Sequence, residues 1–395
     1  MPFKPNSNSV DSKKDSQSAG LVSSKEDDVK EAEISGGKRS NRVKKEPLQN
    51  NCQSELDVAK EKLENSRNTK FMESDISSEK VRIRLTSLHP MLESDYFIDT
   101  SDTDNFYNVV FDHVFARKSG LYITGEFRVG KSKNIVNTIS RLKTDMPIIY
   151  AASFSGTRNL NQSKSSFCQE ILTSLKYHSS SHQNSIVALP RYLIANSVMA
   201  GSRTCVLFVD EAQMLTVIQL RYLLEIWNDL RREGFLLVTV LVGQTNLDYL
   251  MQLTEEQDQG AVIARFFVNR FSLGGLHTKE GLERYLSAYD NMLFYPIGSN
   301  WSYSRFFRNM AFDAGWRLES EAERFWNILM ERSRTNSISL RKNGFRLAFI
   351  NDAIHSFLID SMKKENLSEK AALELWGEAV SSAASNELLI GYADN

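Results

Sequence analysis

A chain of 395 residues has room for two domains and a substantial core. Forty-eight basic residues against 49 acidic ones leave a net charge of −1. Bulk charge therefore carries no nucleic-acid signature, and any basic surface must be local. Cys52, Cys168 and Cys205 are scattered and odd in number, which excludes a disulfide framework or a metal-type spacing and points to a reducing cytoplasm. No long uncharged apolar run is available for a membrane span, and the opening MPFKPNSNSVDSKKDS lacks the apolar core of a signal peptide.

Residues 1 to about 80 are rich in Ser, Lys, Glu, Asp and Asn, with sparse, unpatterned apolar side chains. Such a segment cannot bury enough surface to offset its ordering entropy and is expected to be a disordered polar tail. Within it, residues 56–63 have the pattern of a transient helix. Residues 38–45, KRSNRVKK, form the one basic cluster, either a solvated tail or an arm touching DNA phosphates or a protein. From about 81 the composition turns globular. Residues 89–96 suggest a loop, and 105–116 an amphipathic helix with Phe106, Val109, Val110, Val114 and Phe115 on its apolar side.

Residues 121–132, LYITGEFRVGKS, organise the chain. A short apolar run ends at Gly125; Glu126, Phe127, Arg128 and Val129 follow, then Gly130, Lys131 and Ser132, with Lys133 continuing into a helical run. This is the G-x-x-x-x-G-K-[ST] phosphate-binding loop between a strand and a helix, the context the motif requires. Glycine permits the tight path that turns successive N–H groups inward, and the helix opening at Lys131 adds its partial positive charge. Lys131 can reach the β- and γ-phosphates of a nucleotide, and the Ser132 hydroxyl can hold Mg²⁺.

Strands are expected at 121–124, 147–152, 204–209, 235–242 and near 271–276, with helices between them, most strongly at 215–232. This alternation gives an α/β fold with a parallel sheet. The run CVLFVDEAQ sets Asp210 at a strand's carboxyl end, where it can complete a Mg²⁺ shell, and places Glu211 beside it as a general base. After the fourth strand, Gln244, favoured over Asn246, can sit between the carboxylates and report the γ-phosphate. In ARFFVNRF, Arg265 or Arg270 can reach a neighbouring subunit's γ-phosphate as an arginine finger, and the spacing does not choose between them. Beyond about 277 the periods at 279–292, 303–310, 320–334, 344–362 and 368–384 are helical, and Arg346 can return to the phosphates from that side. The expected division is thus a tail at 1–80, a nucleotide-binding α/β domain at 81–276 and a helical lid with C-terminal helices at 277–395.

Taken together, the 125–132 loop, the Asp210-Glu211 pair, a polar sensor-like position, the Arg-Phe signatures and a helical region holding Arg346 resemble an AAA+ ATPase. The resemblance covers about 90 to 360 and implies a three-layer αβα sandwich with a five-stranded parallel sheet. The phrases GEFRVGKS and VDEAQ, the latter before a long leucine-rich helix, further resemble the transposition regulators TnsC and TniB, relatives of MuB and of replication-initiator ATPases. That resemblance implies an ATP- and Mg²⁺-dependent ATPase, cytoplasmic and nucleoid-associated in a bacterium, that assembles head to tail on double-stranded DNA. It implies transposase and a target selector as partners. Arg158 and Lys164, in the polar stretch after the second strand, are the candidates for contacting DNA phosphates, and solvated loop charges are the alternative. Two other readings fit the same residues: a replication-initiator or helicase-loader ATPase, and a signalling NTPase that binds only protein.

Overall fold

The structure is a computed structural model that describes residues 76–94, 96–177, 184–336, 344–362, 364 and 367–391. Most of the expected tail, including the basic cluster at 38–45, the 56–63 segment and Cys52, lies outside the described residues; its last five residues, 76–80, are ordered instead, with Ile76 buried and a helix starting at Glu79.

In chain order the elements are α1 (Glu79–Thr86), α2 (Ser101–Phe115), β1 (Leu121–Gly125), α3 (Lys131–Asp145), β2 (Tyr150–Ser155), α4 (Lys164–Ser174), α5 (Ser185–Ala200), β3 (Thr204–Asp210), α6 (Val217–Arg232) and β4 (Leu236–Gly243). They continue with α7 (Leu247–Glu256), α8 (Gly260–Phe266), β5 (Asn269–Leu273), α9 (Lys279–Asn291), α10 (Tyr303–Phe307), α11 (Asn309–Asp313), α12 (Ala322–Asn336), α13 (Leu347–Ser361) and α14 (Glu369–Gly391). The five strands form one parallel sheet in the order β2-β3-β4-β1-β5. This is the expected fold class: a parallel five-stranded sheet with helices on both faces.

The central strands are buried on both sides, which is why their sequences are unbroken apolar runs. One face packs Phe106, Val110, Ile135 and Leu142 of α2 and α3 against Ile123, Val206 and Val240. The other packs Phe167, Leu189, Leu220 and Ile226 of α4, α5 and α6 against Tyr122, Leu207 and Leu241. Cys168 and Cys205 are buried free thiols.

Several boundaries differ from the sequence expectation. The second strand occupies 150–155 rather than 147–152, because Ile149 N–H bonds back to Met146 in a turn and the edge strand carries polar residues such as Ser153 and Ser155. The fifth strand begins at Asn269 and ends at Leu273; it too is an edge strand, pairing only with β1 and exposing Asn269 and Arg270. Thr100 caps α2 by accepting the Thr103 N–H, so that helix starts four residues early. The run expected at 303–310 breaks at Arg308, whose φ of −133° and ψ of 54° leave the helical region.

The later helices have their own core, with Trp376 stacked between Phe325 and Phe357 at centroid distances of 4.1 and 3.9 Å. Ile76, Leu85, Met91 and Ile98 belong to this same cluster. The segment from 76 to 98, part of which was expected with the α/β region, therefore buries its apolar side chains among the helices that follow the sheet.

Candidate functional site

The loop from Gly125 to Ser132 leaves the carboxyl end of β1 and runs into α3. Val129 is buried in the core below and fixes the loop from underneath. Arg128 and Gly130 both take positive φ, 58° and 99°, and together they bend the backbone into a concave turn. Asn134 locks it by donating from Nδ2 to the Gly130 carbonyl at 3.0 Å, while its own Oδ1 is buried with no partner.

Lys131 is only 5% exposed. Its Nζ donates to the loop's own carbonyls, Gly125 O at 3.2 Å and Glu126 O at 2.8 Å. Burial lowers its pKa; Glu211, Asp210 and Glu126, in decreasing order, oppose that shift. The ammonium thus feels the acidic tip of β3 across the carboxyl edge of the sheet. β4 lies between β3 and β1, so those tips stand two strand spacings apart, ~10 Å at ~4.8 Å per strand.

Asp210 ends β3 and accepts the Glu211 N–H at Oδ1, 2.9 Å. Glu211 itself sits in the left-handed region at φ 48°, a strained conformation for a side-chain-bearing residue. Its carboxylate accepts a hydrogen bond from Gln213 Nε2, and Gln213 Oε1 accepts the Gln244 N–H at 3.0 Å. Gln213 therefore couples the acidic pair to the end of β4. The neighbouring Gly243 makes this possible, since a Cβ there would meet Gln213 Oε1 at 2.5 Å. At Gln244 it is the backbone amide that enters this network.

From the opposite side, Arg346 at the start of α13 pairs with Glu126 of the loop, Nη2 to Oε2 at 3.1 Å. The Ala348 N–H also approaches Arg128 O at 3.4 Å. Between these parts lies a cavity of about 360 Å³ whose lining includes Lys131, Ser132 and Glu211 together with Tyr96, Ile98 and Asn351. Lys133 holds the upstream segment in place through the carbonyls of Ser94 and Tyr96, 2.9 Å for the latter. The Tyr96 hydroxyl bonds Tyr289 and, at 2.8 Å, His355 Nε2.

Sequence reasoning missed Gln213, which lies inside the VDEAQ phrase, and the upstream Tyr96–Ile98 wall. The aromatic residues of DYFI were the one available signal for that wall.

The cradle fits a nucleotide tail: an inward loop, a buried ammonium and a cavity that Lys131 and Ser132 line beside apolar groups such as Ile98 and Leu347. For Mg²⁺, Ser132 in the cavity lining and Asp210 at the tip of β3, outside that lining, carry oxygen donors of the kind this ion can take alongside substrate phosphates. Among the described residues no group of three or more His, Cys, Asp or Glu side chains forms a separate metal cage.

The remaining candidates lie elsewhere. Arg270 is held by Asp248 through Nε at 3.1 Å and Nη2 at 2.7 Å. Arg265 lies at the amino end of the strands, its carbonyl close to Gly120 and its guanidinium over the Trp227 ring at 4.8 Å. Neither arginine meets the phosphate loop of its own chain within that cavity. Lys164 opens α4 rather than standing in a loop, because Ser163 caps that helix, and its ammonium pairs with Glu225 at 2.7 Å. Arg158 is exposed on the 157–163 loop, which Gln219 pins through Thr157 O and Gln162 Oε1.

Residues 116–251 match the family model of the AAA domain. Among solved structures, the ORC2 protein of Aeropyrum pernix in its ADP form is similar at 13% identity, over 74% of this chain and 71% of that one, with a TM-score of 0.44. Domain III of the replication initiation protein DnaA from Thermotoga maritima is similar at 13% identity, over 72% and 95%, with a TM-score of 0.39. Drosophila ORC bound to DNA is similar at 15% identity, over 81% and 70%, with a TM-score of 0.41. No curated protein sequence matches the chain. Among the described residues no helix is long and apolar enough to cross a membrane.

Proposed function

We propose that the protein is a Mg²⁺-dependent ATPase of the AAA+ kind whose nucleotide state controls head-to-tail assembly on double-stranded DNA. The observation that carries the nucleotide reading is the arrangement around Lys131: its buried ammonium lies on the phosphate loop, within electrostatic reach of Glu211 and Asp210, in the lining of the cavity.

In this reading Lys131 exchanges its bonds to the Gly125 and Glu126 carbonyls for bonds to the β- and γ-phosphates. The loop amides and the start of α3 hold the remaining phosphate oxygens. Ser132 and Asp210 hold Mg²⁺, which neutralises phosphate charge when bound. Glu211, oriented by Gln213, takes the proton of the attacking water. Arg346, now paired with Glu126, turns to the phosphates and draws the helical region over the site.

Arg265 is the better in-trans finger, because Asp248 already neutralises Arg270. A finger from the neighbouring copy supports head-to-tail assembly. The phrases GEFRVGKS and VDEAQ, similar to those of TnsC and TniB, support a role in transposition, linking a target selector to transposase. An initiator-type or helicase-loader ATPase uses the same nucleotide chemistry. A division near 277, with the 76–98 segment packed on the helical side of it, and DNA contact through Arg158 belong to the same proposal.

Electron microscopy with duplex DNA and a non-hydrolysable ATP analogue tests it. Rings or filaments along the duplex are expected only with nucleotide. Monomers that ignore DNA would remove the assembly reading and leave a protein-binding NTPase.

A further inference from the structure

The helices of a parallel α/β sheet run against the strands, so their carboxyl ends gather at the strands' amino edge. Four of those ends carry an arginine here: Arg117 after α2, Arg203 after α5, Arg231 in the last turn of α6 and Arg265 in the last turn of α8. All four line one cavity of about 510 Å³, and no aspartate or glutamate lines it.

The simplest account is that each arginine offsets the partial negative charge at its own helix end. That charge is roughly −0.5 per helix, so four ends supply about −2 against four guanidinium charges. About half the positive charge remains uncompensated in one concavity. No carboxylate pairs with any of the four among the described residues. Two of the arginines are instead ordered by Trp227, whose ring lies 4.8 Å from the Arg265 guanidinium and 5.7 Å from that of Arg231. Arg203 extends over the α6–β4 turn, where a Cβ on Gly234 would stand 3.8 Å from its Nη1. The Trp227 Nε1 atom is buried without an acceptor.

We infer that this edge is a second phosphate site, built by Arg117, Arg203, Arg231 and Arg265, that takes a compact polyphosphate chain such as the tail of a nucleoside triphosphate. Guanidinium forks match phosphate oxygens in pairs. A compact chain is favoured over single-stranded nucleic acid because Arg265 and Arg231 already occupy the indole that a base would stack on. The phosphate is that of a free polyphosphate or free nucleoside triphosphate, since a nucleotide held by a second copy would bridge two chains and leave one equivalent per chain. The inference rests on the nucleotide reading only in treating the Lys131 loop as a separate site.

Titration calorimetry with inorganic triphosphate separates the two sites. The unaltered chain is expected to bind two equivalents, Lys131→Ala one, and Arg203→Ala/Arg231→Ala one. Combining all three changes should weaken the remaining binding at least about tenfold. Far-UV circular dichroism and thermal midpoint report folding, and Arg117→Ala, on an exposed turn, gives a milder independent loss. If the unaltered chain and Lys131→Ala behave alike, with one site lost on changing the arginines, this site stands and the loop assignment falls. One equivalent that vanishes in Lys131→Ala overturns the inference. So does duplex DNA binding that needs Arg203 and Arg231 with no triphosphate binding. One equivalent per unaltered chain, with turnover recovered on mixing Lys131→Ala with Arg203→Ala/Arg231→Ala, would place these arginines on a second copy's nucleotide and overturn the second site.

Discussion

Gln213 Oε1 accepts the backbone N–H of Gln244 at 3.0 Å while its Nε2 donates to the Glu211 carboxylate. One amide side chain therefore sets the general-base candidate relative to the neighbouring strand. Gln213→Ala is expected to lower ATP turnover by about tenfold or more, part of the ~10²–10⁴ that a positioned base contributes, with ATP affinity little changed. Single-turnover hydrolysis beside equilibrium binding checks this. A matching loss of affinity would assign Gln213 to the architecture of the pocket instead.

Lys131→Ala should abolish nucleotide binding, since its buried ammonium lies on the loop's own carbonyls in the lining of the cavity. Glu211→Gln should keep ATP bound and stop turnover. Retained tight ATP binding in the first variant, or normal turnover in the second, contradicts the roles given to these residues.

The Arg346–Glu126 pair makes a two-sided prediction. Both side chains are partly buried, and Glu126 holds Arg346 where a phosphate is proposed to take over. Arg346→Ala should weaken ATP binding, by roughly tenfold for a lost charge-assisted bond. Glu126→Gln should leave it unchanged or tighter, because the competing carboxylate is gone. Weaker binding in both variants would make the pair structural.

Arg265→Ala is expected to cut turnover without cutting ATP affinity. Arg270→Ala should behave like Asp248→Ala, costing at most ~1 kcal/mol of stability as a half-exposed ion pair does. Turnover measured across a protein dilution series checks the in-trans role, which requires activity to rise with concentration.

Buried histidines give a pH dependence of stability. His89 is enclosed by Tyr295, Tyr303, Phe306 and Phe307 at centroid distances between 4.4 and 5.0 Å. Burial, with a smaller push from His355, lowers its pKa to about 3. Burial and then Lys133 lower that of His355 to about 4. The unfolded chain titrates these groups near ~6.5, so it binds protons that the folded chain refuses. Their contribution is full above ~6.5 and is lost as pH falls toward about 3 to 4, at ~1.4 kcal/mol per pH unit for each histidine. Asp290 and Asp352, whose pKa values burial raises, act in the opposite sense: their contribution is present at low pH and is lost as pH rises through the folded value. Urea midpoints of His89→Asn, whose carbonyl can still accept the Met91 N–H, isolate the effect. The variant should be less stable at pH 7 but lose less between pH 6.5 and 4, and parallel curves would refute the assignment.

The central sheet was legible in the chain because strands covered on both faces must be apolar throughout, as 204–209 and 235–242 are. The edge strands were displaced by two or three residues because exposure frees them from that rule, as at Ser153 and Asn269. The phosphate loop and Asp210-Glu211 were legible because their chemistry fixes close spacings within one turn. Tyr96 and Asn351 were not, since they line one cavity from positions 255 apart and neither belongs to a local pattern.

The stretch matching the AAA domain stops short of β5 and begins after α2. Excised at 116 and 251, it would strip the α2 side chains from one sheet face and turn β1 from an interior strand into an open border. Its unsatisfied ladder would invite pairing with other copies, so such a fragment should precipitate or self-associate rather than report the behaviour of the intact chain.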